Sequence, residues 1–169
     1  VILVALPVDD PEVETQFLFA DSFILATQAT PENAKMRDAT PDMLADERLL
    51  LLEEGHCLRD QALSYCHMMS SEARESFGAS SLATIVQMVA NGYGVTLLPE
   101  MAIESEIPRG GDIRLLRFPA PEPNPSLGLS SRQTSPRKPE FAQFGTLPSD
   151  VVPKPHNHSD NKGGQTPQA

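Results

Sequence analysis

The sequence predicts an α/β fold in which short buried strands alternate with short helices. Three stretches carry that reading. Val1-Ile2-Leu3-Val4-Ala5-Leu6 is a β-branched apolar run with the character of a buried strand. Leu82, Ile85, Val86 and Val89 recur at helical spacing. Gly94-Val95-Thr96-Leu97-Leu98 then follows as a second buried strand, ended by Pro99. Strands and helices in this alternation imply a sheet with parallel pairs. A mature domain seldom starts inside a strand such as Val1 to Leu6, which implies that the chain is a fragment.

In chain order, Pro7 to Glu14 reads as an acidic turn region, and Phe17 to Gln28 as one strand or two short ones around Asp21-Ser22. Thr30 to Met36 reads as loop. Thr40 before Pro41 is a helix-start signature, with Thr40 as cap and Pro41 at the first helical position. Glu47 to Leu52 is a short buried strand that delivers the chain to Glu53-Glu54-Gly55. Leu58 to Met69 lacks Pro and Gly and is rich in Leu, Ala and Met, so one helix is expected there. A strand around Phe77 precedes the helix capped by Ser80-Ser81 and stopped by Asn91-Gly92. Glu100 to Glu104 is a further short helix, and Ile113 to Phe118 and Ser126 to Ser131 are strands. Arg137 to Phe144 is a weak helix that Pro139 is expected to break.

Composition removes several function classes. The formal charge of −10, without clustered Lys or Arg, argues against a nucleic-acid-binding surface on this chain. No apolar run is long enough to span a bilayer and no secretory leader is present, so a cytoplasmic setting with reduced thiols is expected. No Gly-rich phosphate loop, serine-nucleophile motif or acidic metal cluster appears, and no cofactor or metal is expected. The chain has sixteen prolines, most of them in its second half, and Pro148 to Ala169, with almost no large apolar side chains, reads as a disordered tail.

Chemistry concentrates in Gly55-His56-Cys57-Leu58-Arg59-Asp60-Gln61-Ala62 and Cys66, which hold both cysteines of the chain. Cys57 falls at the start of the expected helix, where unpaired backbone amides favour a thiolate, and His56 and Arg59 add positive potential in sequence. On the expected helix, nine residues separate the cysteines by roughly 13 Å of rise and about half a turn. A disulfide needs Cα atoms within about 7 Å. The thiols therefore never pair, or pair only after the segment unwinds. Cys66, on a mixed face with Tyr65 and Met69, reads as core when taken alone; as the second thiol it is the natural resolving partner for a sulfenic acid at Cys57. His56-Cys57 and Cys66-His67 match no usual zinc spacing. Arg48, Glu53, Glu54 and Asp60 can form ion pairs that tune the site, against the default of charges on a solvated face, and Ser80, Ser81 and Thr84 can bind a small anion at a helix start, although capping alone accounts for the serines.

The cysteine motif resembles the regulatory domain of OxyR-type peroxide sensors, a group within the LysR-type transcriptional regulators. The resemblance extends upstream through Leu49 to Glu53 and downstream through Ser81 to Thr84, Met88 to Gly92 and Gly94 to Pro99. Gly128-Leu129, Arg132 and Ser135 to Lys138 extend it further, so that it covers roughly Val1 to Phe144. It implies a periplasmic-binding-protein-like (type II) regulatory domain of two α/β subdomains with its N-terminal part missing. Residues 1–20 would end subdomain I, 21–125 would form subdomain II with the redox switch, 126–147 would return into subdomain I, and 148–169 would be the tail.

By the same resemblance, Cys57 is the peroxidatic cysteine and Cys66 the resolving one. His56, Arg59, Asp60 and Arg132 surround the reactive thiol. Hydrogen peroxide oxidises Cys57, a disulfide with Cys66 refolds the intervening segment, and a homodimer or homotetramer passes the change to a helix-turn-helix domain that lies outside this chain and reads DNA. Glutaredoxin or thioredoxin is the implied reductant, and the implied protein is a transcriptional activator, not an enzyme. Ser76 replaces a histidine of some relatives, and Ser130-Ser131 replace large residues. Three rivals use the same residues: a thiol peroxidase, a LysR-type small-effector domain with incidental cysteines, and a metal-binding module.

Overall fold

The computed structural model describes residues 1–40, 43–44, 47–69, 77–107, 110–120 and 122–144. Strand β1 (Ile2–Leu6) is followed by β2 (Val13–Ala20) and β3 (Phe23–Gln28), then by a 3₁₀ turn at Asn33–Lys35. Next come β4 (Leu50–Leu52), helix α1 (Cys57–Met69), β5 (Phe77–Ala79), helix α2 (Leu82–Ala90) and β6 (Thr96–Pro99). Helix α3 (Glu100–Glu106), β7 (Ile113–Leu116), β8 (Ser126–Arg132) and helix α4 (Lys138–Phe144) complete the order. The proposed helix start at Pro41-Asp42 lies outside the described residues, although Met43 and Leu44 are helical and Met43 N donates to Thr40 O. The 148–169 tail and Ser76 also lie outside them.

The strands form two units. In one, β8 lies between β1 and β2, antiparallel to both. In the other, β3 lies between β6 and β7, again antiparallel. The parallel pair β4-β5 joins the second unit through a parallel bridge between Leu49 and Val95 and through the Thr96 hydroxyl, which donates to Leu50 O at 2.7 Å. The parallel pairing expected from the alternation of elements is thus confined to β4-β5 and single bridges. The reason is connectivity: β3 follows β2 after two residues, so it enters the second unit from the first and runs against β6 and β7.

Strand β4 explains the core. Leu49 and Leu51 point to one face, into a cluster with Phe23, Leu25, Leu44, Tyr65, Cys66, Val95, Leu97, Leu116 and Phe118. Leu50 and Leu52 point to the other, with Ile85, Val86, Val89 and Leu98. A strand buried on both faces must be apolar at every position, and this one is sandwiched between α1 and α2. Helix α2 has Ser81 as its N-cap, whose hydroxyl accepts from Thr84 N at 3.2 Å, and Gly92 follows its end at φ +77°.

Two expectations need correction. The Val1–Leu6 run forms a strand, but Val1, Ile2 and Leu3 are 53%, 64% and 52% exposed, because β1 is the edge of a three-stranded sheet and only its Ala5 is buried. Pro139 does not break the last helix. It stands in the first turn of α4, where a missing N–H leaves no helical bond unmade.

Two short crossovers join the units, and they are bonded to each other. Asp21 N donates to Pro125 O at 3.0 Å, Phe23 N to Pro123 O at 2.8 Å, and the Ser22 hydroxyl to Asn124 Oδ1 at 2.6 Å. Both carboxylate oxygens of Asp21 accept from Met101 N, at 3.3 Å. Burial pushes the Asp21 carboxyl above its ordinary range; the Met101 amide opposes this and the neighbouring Glu100 adds to it. Arg117 closes the cluster by pairing with Glu100 and, at 3.5 Å, with Glu122.

The raised folded-state value means that the fold penalises ionised Asp21. Its stabilising contribution is present below the unfolded pKa and is lost as pH rises through the folded one. Asp21→Asn keeps an acceptor for Met101 N, so the wild type should be less heat-stable than the variant near neutrality, with the gap closing on acidification. Melting curves of both proteins from about pH 8 to about pH 4 test this, and a gap independent of pH would refute it. Gly94 has φ +155°, and a Cβ there would lie 2.2 Å from Arg48 O. Gly94→Ala should therefore cost at least about 2 kcal/mol in denaturant unfolding.

Candidate functional site

The turn that launches α1 is set by sequence. After Leu52 the chain reverses through Glu53-Glu54-Gly55, where Gly55 takes φ +93°, a conformation that L side chains rarely adopt. Cys57 is then the first residue of α1. The first turn closes with Arg59 N donating to His56 O at 2.9 Å, and Asp60 lies in that turn, where negative charge complements the helix dipole.

Cys57 is exposed and Cys66 is buried, at 1% accessibility, and neither is in a disulfide. From helix geometry their Cα atoms are about 14 Å apart and half a turn out of phase. Cys57 faces a cleft of about 450 Å³, walled by Leu6 and Pro7 at the end of β1, by Pro123, Asn124 and Pro125 of the second crossover, and by Asp60, Gln61, Ser64 and Tyr65 of α1. Cys66 lies in the core cluster that includes Tyr65 and Phe118, whose rings meet edge to face with centroids 5.3 Å apart. Burial pushes the Cys66 thiol up to about 11, so at neutral pH it is protonated. Burial also raises the Tyr65 hydroxyl, with the nearby Cys66 sulfur adding to it.

Of the residues expected around the reactive thiol, the structure gathers Cys57 and Asp60 on one cleft wall. His56 is exposed beside them. The Arg59 guanidinium turns toward β4, where Nη1 donates to Leu52 O at 2.8 Å. Arg132 is exposed at the far end of β8, paired with Val13, whereas the cleft lies at the Ser126 end. Six strand residues separate those ends, about 20 Å. Sequence reasoning assigned no role to Gln61, Ser64 or Asn124. The helical register of the motif could have found Gln61 and Ser64, which lie four and seven residues after Cys57. Nothing local could have found Asn124, which the fold brings in from the second crossover.

Among the described residues no group of three or more His, Cys, Asp or Glu side chains is arranged to hold a metal ion. Among them, too, no helix is long and apolar enough to cross a membrane.

Comparison with known proteins shows the family of the chain. The sequence profile of the LysR substrate binding domain matches residues 1–147. A probable hydrogen peroxide-inducible genes activator of Mycobacterium avium is 38% identical over 155 residues, 91% of this chain and 50% of that protein. The Escherichia coli DNA-binding transcriptional dual regulator OxyR is 44% identical over 101 residues, 60% of this chain and 33% of that protein. The chain thus spans half or less of these curated relatives. Among solved structures, the reduced OxyR regulatory domain of Pseudomonas aeruginosa superposes with a TM-score of 0.71 at 34% identity, covering 85% of this chain and 68% of that one. A cysteine-to-serine variant of Corynebacterium glutamicum OxyR with hydrogen peroxide bound gives 0.74 at 35%, covering 85% and 46%.

The exposure of Cys57 and the burial of Cys66 set the order of thiol reactivity. In the folded dithiol protein at about pH 7.5, iodoacetamide should modify Cys57 at least about tenfold faster than Cys66. Peptide mass mapping over a time course checks it; equal rates would mean that Cys66 is not held in the core.

Proposed function

The chain belongs to the LysR substrate binding domain family, in its OxyR-type group with the type II periplasmic-binding-protein-like fold, and we propose on that premise that it is the redox-sensing regulatory part of a hydrogen-peroxide-inducible transcriptional activator. One observation carries the reading. A single helix holds an exposed thiol at its first residue, on a cleft, and a buried thiol nine residues later on the opposite side.

The chemistry follows from that placement. The Cys57 thiolate attacks one oxygen of hydrogen peroxide; the O–O bond breaks, and the departing hydroxide takes a proton and leaves as water. Cys57 is then a sulfenic acid. The Cys66 sulfur attacks the sulfenic sulfur, the S–O bond breaks, and a second water leaves as the disulfide forms. The Cys66 thiol begins protonated and buried, so it must leave the core before it attacks. Asp60 shares the cleft wall with Cys57, and His56 is exposed next to Cys57 in the chain. We assign Arg59 to holding the helix and leave Arg132 outside the peroxide site, because it stands at the other end of β8.

We read residues 1–20 and 126–147 as one subdomain and 21–125 as the other, with the two bonded crossovers as the hinge between them. The state of the disulfide passes through a homodimer or homotetramer to a DNA-binding domain elsewhere in the intact protein. This chain, at a net charge of −10, is suited to signalling and not to contacting DNA. The protein works in the cytoplasm, is reset by glutaredoxin or thioredoxin, and performs one oxidation per signal without catalytic turnover.

Two variants test the reading in the intact protein. Cys57→Ser should abolish peroxide-dependent transcription. Cys66→Ser should stop at a Cys57 sulfenic acid that dimedone traps, readable as a mass increment on the Cys57 peptide. An unchanged transcriptional response in Cys57→Ser would favour a small-effector domain with incidental cysteines, and sustained peroxide consumption with thioredoxin would favour a peroxidase.

A further inference from the structure

Two side chains of helix α1 reach backbone carbonyls elsewhere in the molecule. Arg59 Nη1 donates to Leu52 O, at the end of β4, at 2.8 Å. Gln61 Nε2 donates to Leu6 O, at the end of β1. The two acceptors belong to different units: β1 pairs with β8 and β2, whereas β4 joins β5 and, through the Leu49–Val95 bridge, the β6-β3-β7 sheet. Residues two apart on a helix point about 200° apart, which is why one turn of α1 can grip opposite units. Both donors lie between Cys57 and Cys66, inside the segment that a disulfide would force to unwind.

We propose that Gln61 and Arg59 are positioning residues that latch α1 across the two units in the dithiol state, so that closing the Cys57–Cys66 disulfide releases both latches and uncouples the units. This rests on the disulfide reading above and adds to it the element that transmits the signal. In the dithiol state the units are joined by the bonded crossovers on one side and braced by α1 on the other. Once α1 unwinds, the ties it makes to both units are lost and the crossovers remain. Oxidation thereby becomes a change in how two rigid units sit, which a neighbouring domain or subunit can read.

The latches exist only while α1 is helical, so removing one weakens the dithiol state against the disulfide. The measurement equilibrates the intact protein with reduced and oxidised glutathione at fixed pH and scores the disulfide by alkylation and peptide mass. Two glutathione thiols reduce the protein disulfide and leave as one glutathione disulfide, so the midpoint reports the balance directly. Gln61→Met keeps the side-chain length without a donor and should be half oxidised at an about fivefold lower ratio of oxidised glutathione to the square of the reduced form. Arg59→Met should shift the same way, and the double variant by about 25-fold, because the two bonds reach separate units. Gln61→Glu, whose carboxylate opposes the Leu6 carbonyl, is the second variant and should shift at least as far. A wild type that forms no Cys57–Cys66 disulfide overturns both the function and the latch. A wild type that forms it, with Gln61→Met and Gln61→Glu at the same midpoint, overturns the latch alone.

Discussion

The structure depends on a mismatch of length. Helix α1 carries its two thiols nine residues apart, so helical geometry fixes them about 14 Å from each other and on opposite sides, and no rotamer brings the sulfurs together. Everything else about the site is arranged around keeping that mismatch intact. Gly55 makes the turn that starts the helix at Cys57, β4 supplies the apolar floor under it, and Ala62, Tyr65 and Cys66 seat its inner face in the core with Phe23, Leu25 and Phe118.

That inner face also decides which thiol meets solvent. Burial raises the Cys66 thiol to about 11 and keeps it protonated, whereas Cys57 stands at the helix start on an open cleft. Two cysteines of the same chain thus receive different chemistry from position alone: one is accessible, the other becomes accessible only when its packing is given up. The inner face of α1 is mixed in size: Tyr65 packs there beside a small thiol and an alanine, and Leu58 and Leu63 lie against the same cluster.

The cleft is built from parts distant in sequence. Its walls combine the end of β1, the Pro123-Asn124-Pro125 crossover and the outer face of α1. The crossovers at Asp21-Ser22 and Pro123 to Pro125 carry their own hydrogen bonds, and the buried Asp21 ties them to α3. The wall facing Cys57 is therefore the junction between the two units.

Much of this was legible in the order of residues. The strand at Leu50 to Leu52, the helices at Cys57 and Leu82, their caps and stops, and the exposed-versus-core contrast between the two cysteines all follow from local periodicity and from residues such as Ser81 and Gly92. These are decided within a few residues, where the period of apolar side chains and the φ preferences of glycine and proline act. The sequence could not say that β3 would enter the second unit antiparallel, that β1 would lie exposed at a sheet edge, that Arg132 would stand at the far end of β8 from the cleft, or that Arg59 and Gln61 would bond to opposite units. Each of these depends on which distant segment arrives beside the residue. That is set by sheet pairing and chain crossing, so the local elements and the contrast between the two thiols belong to the sequence, and their placement at the junction of the two units to the tertiary fold.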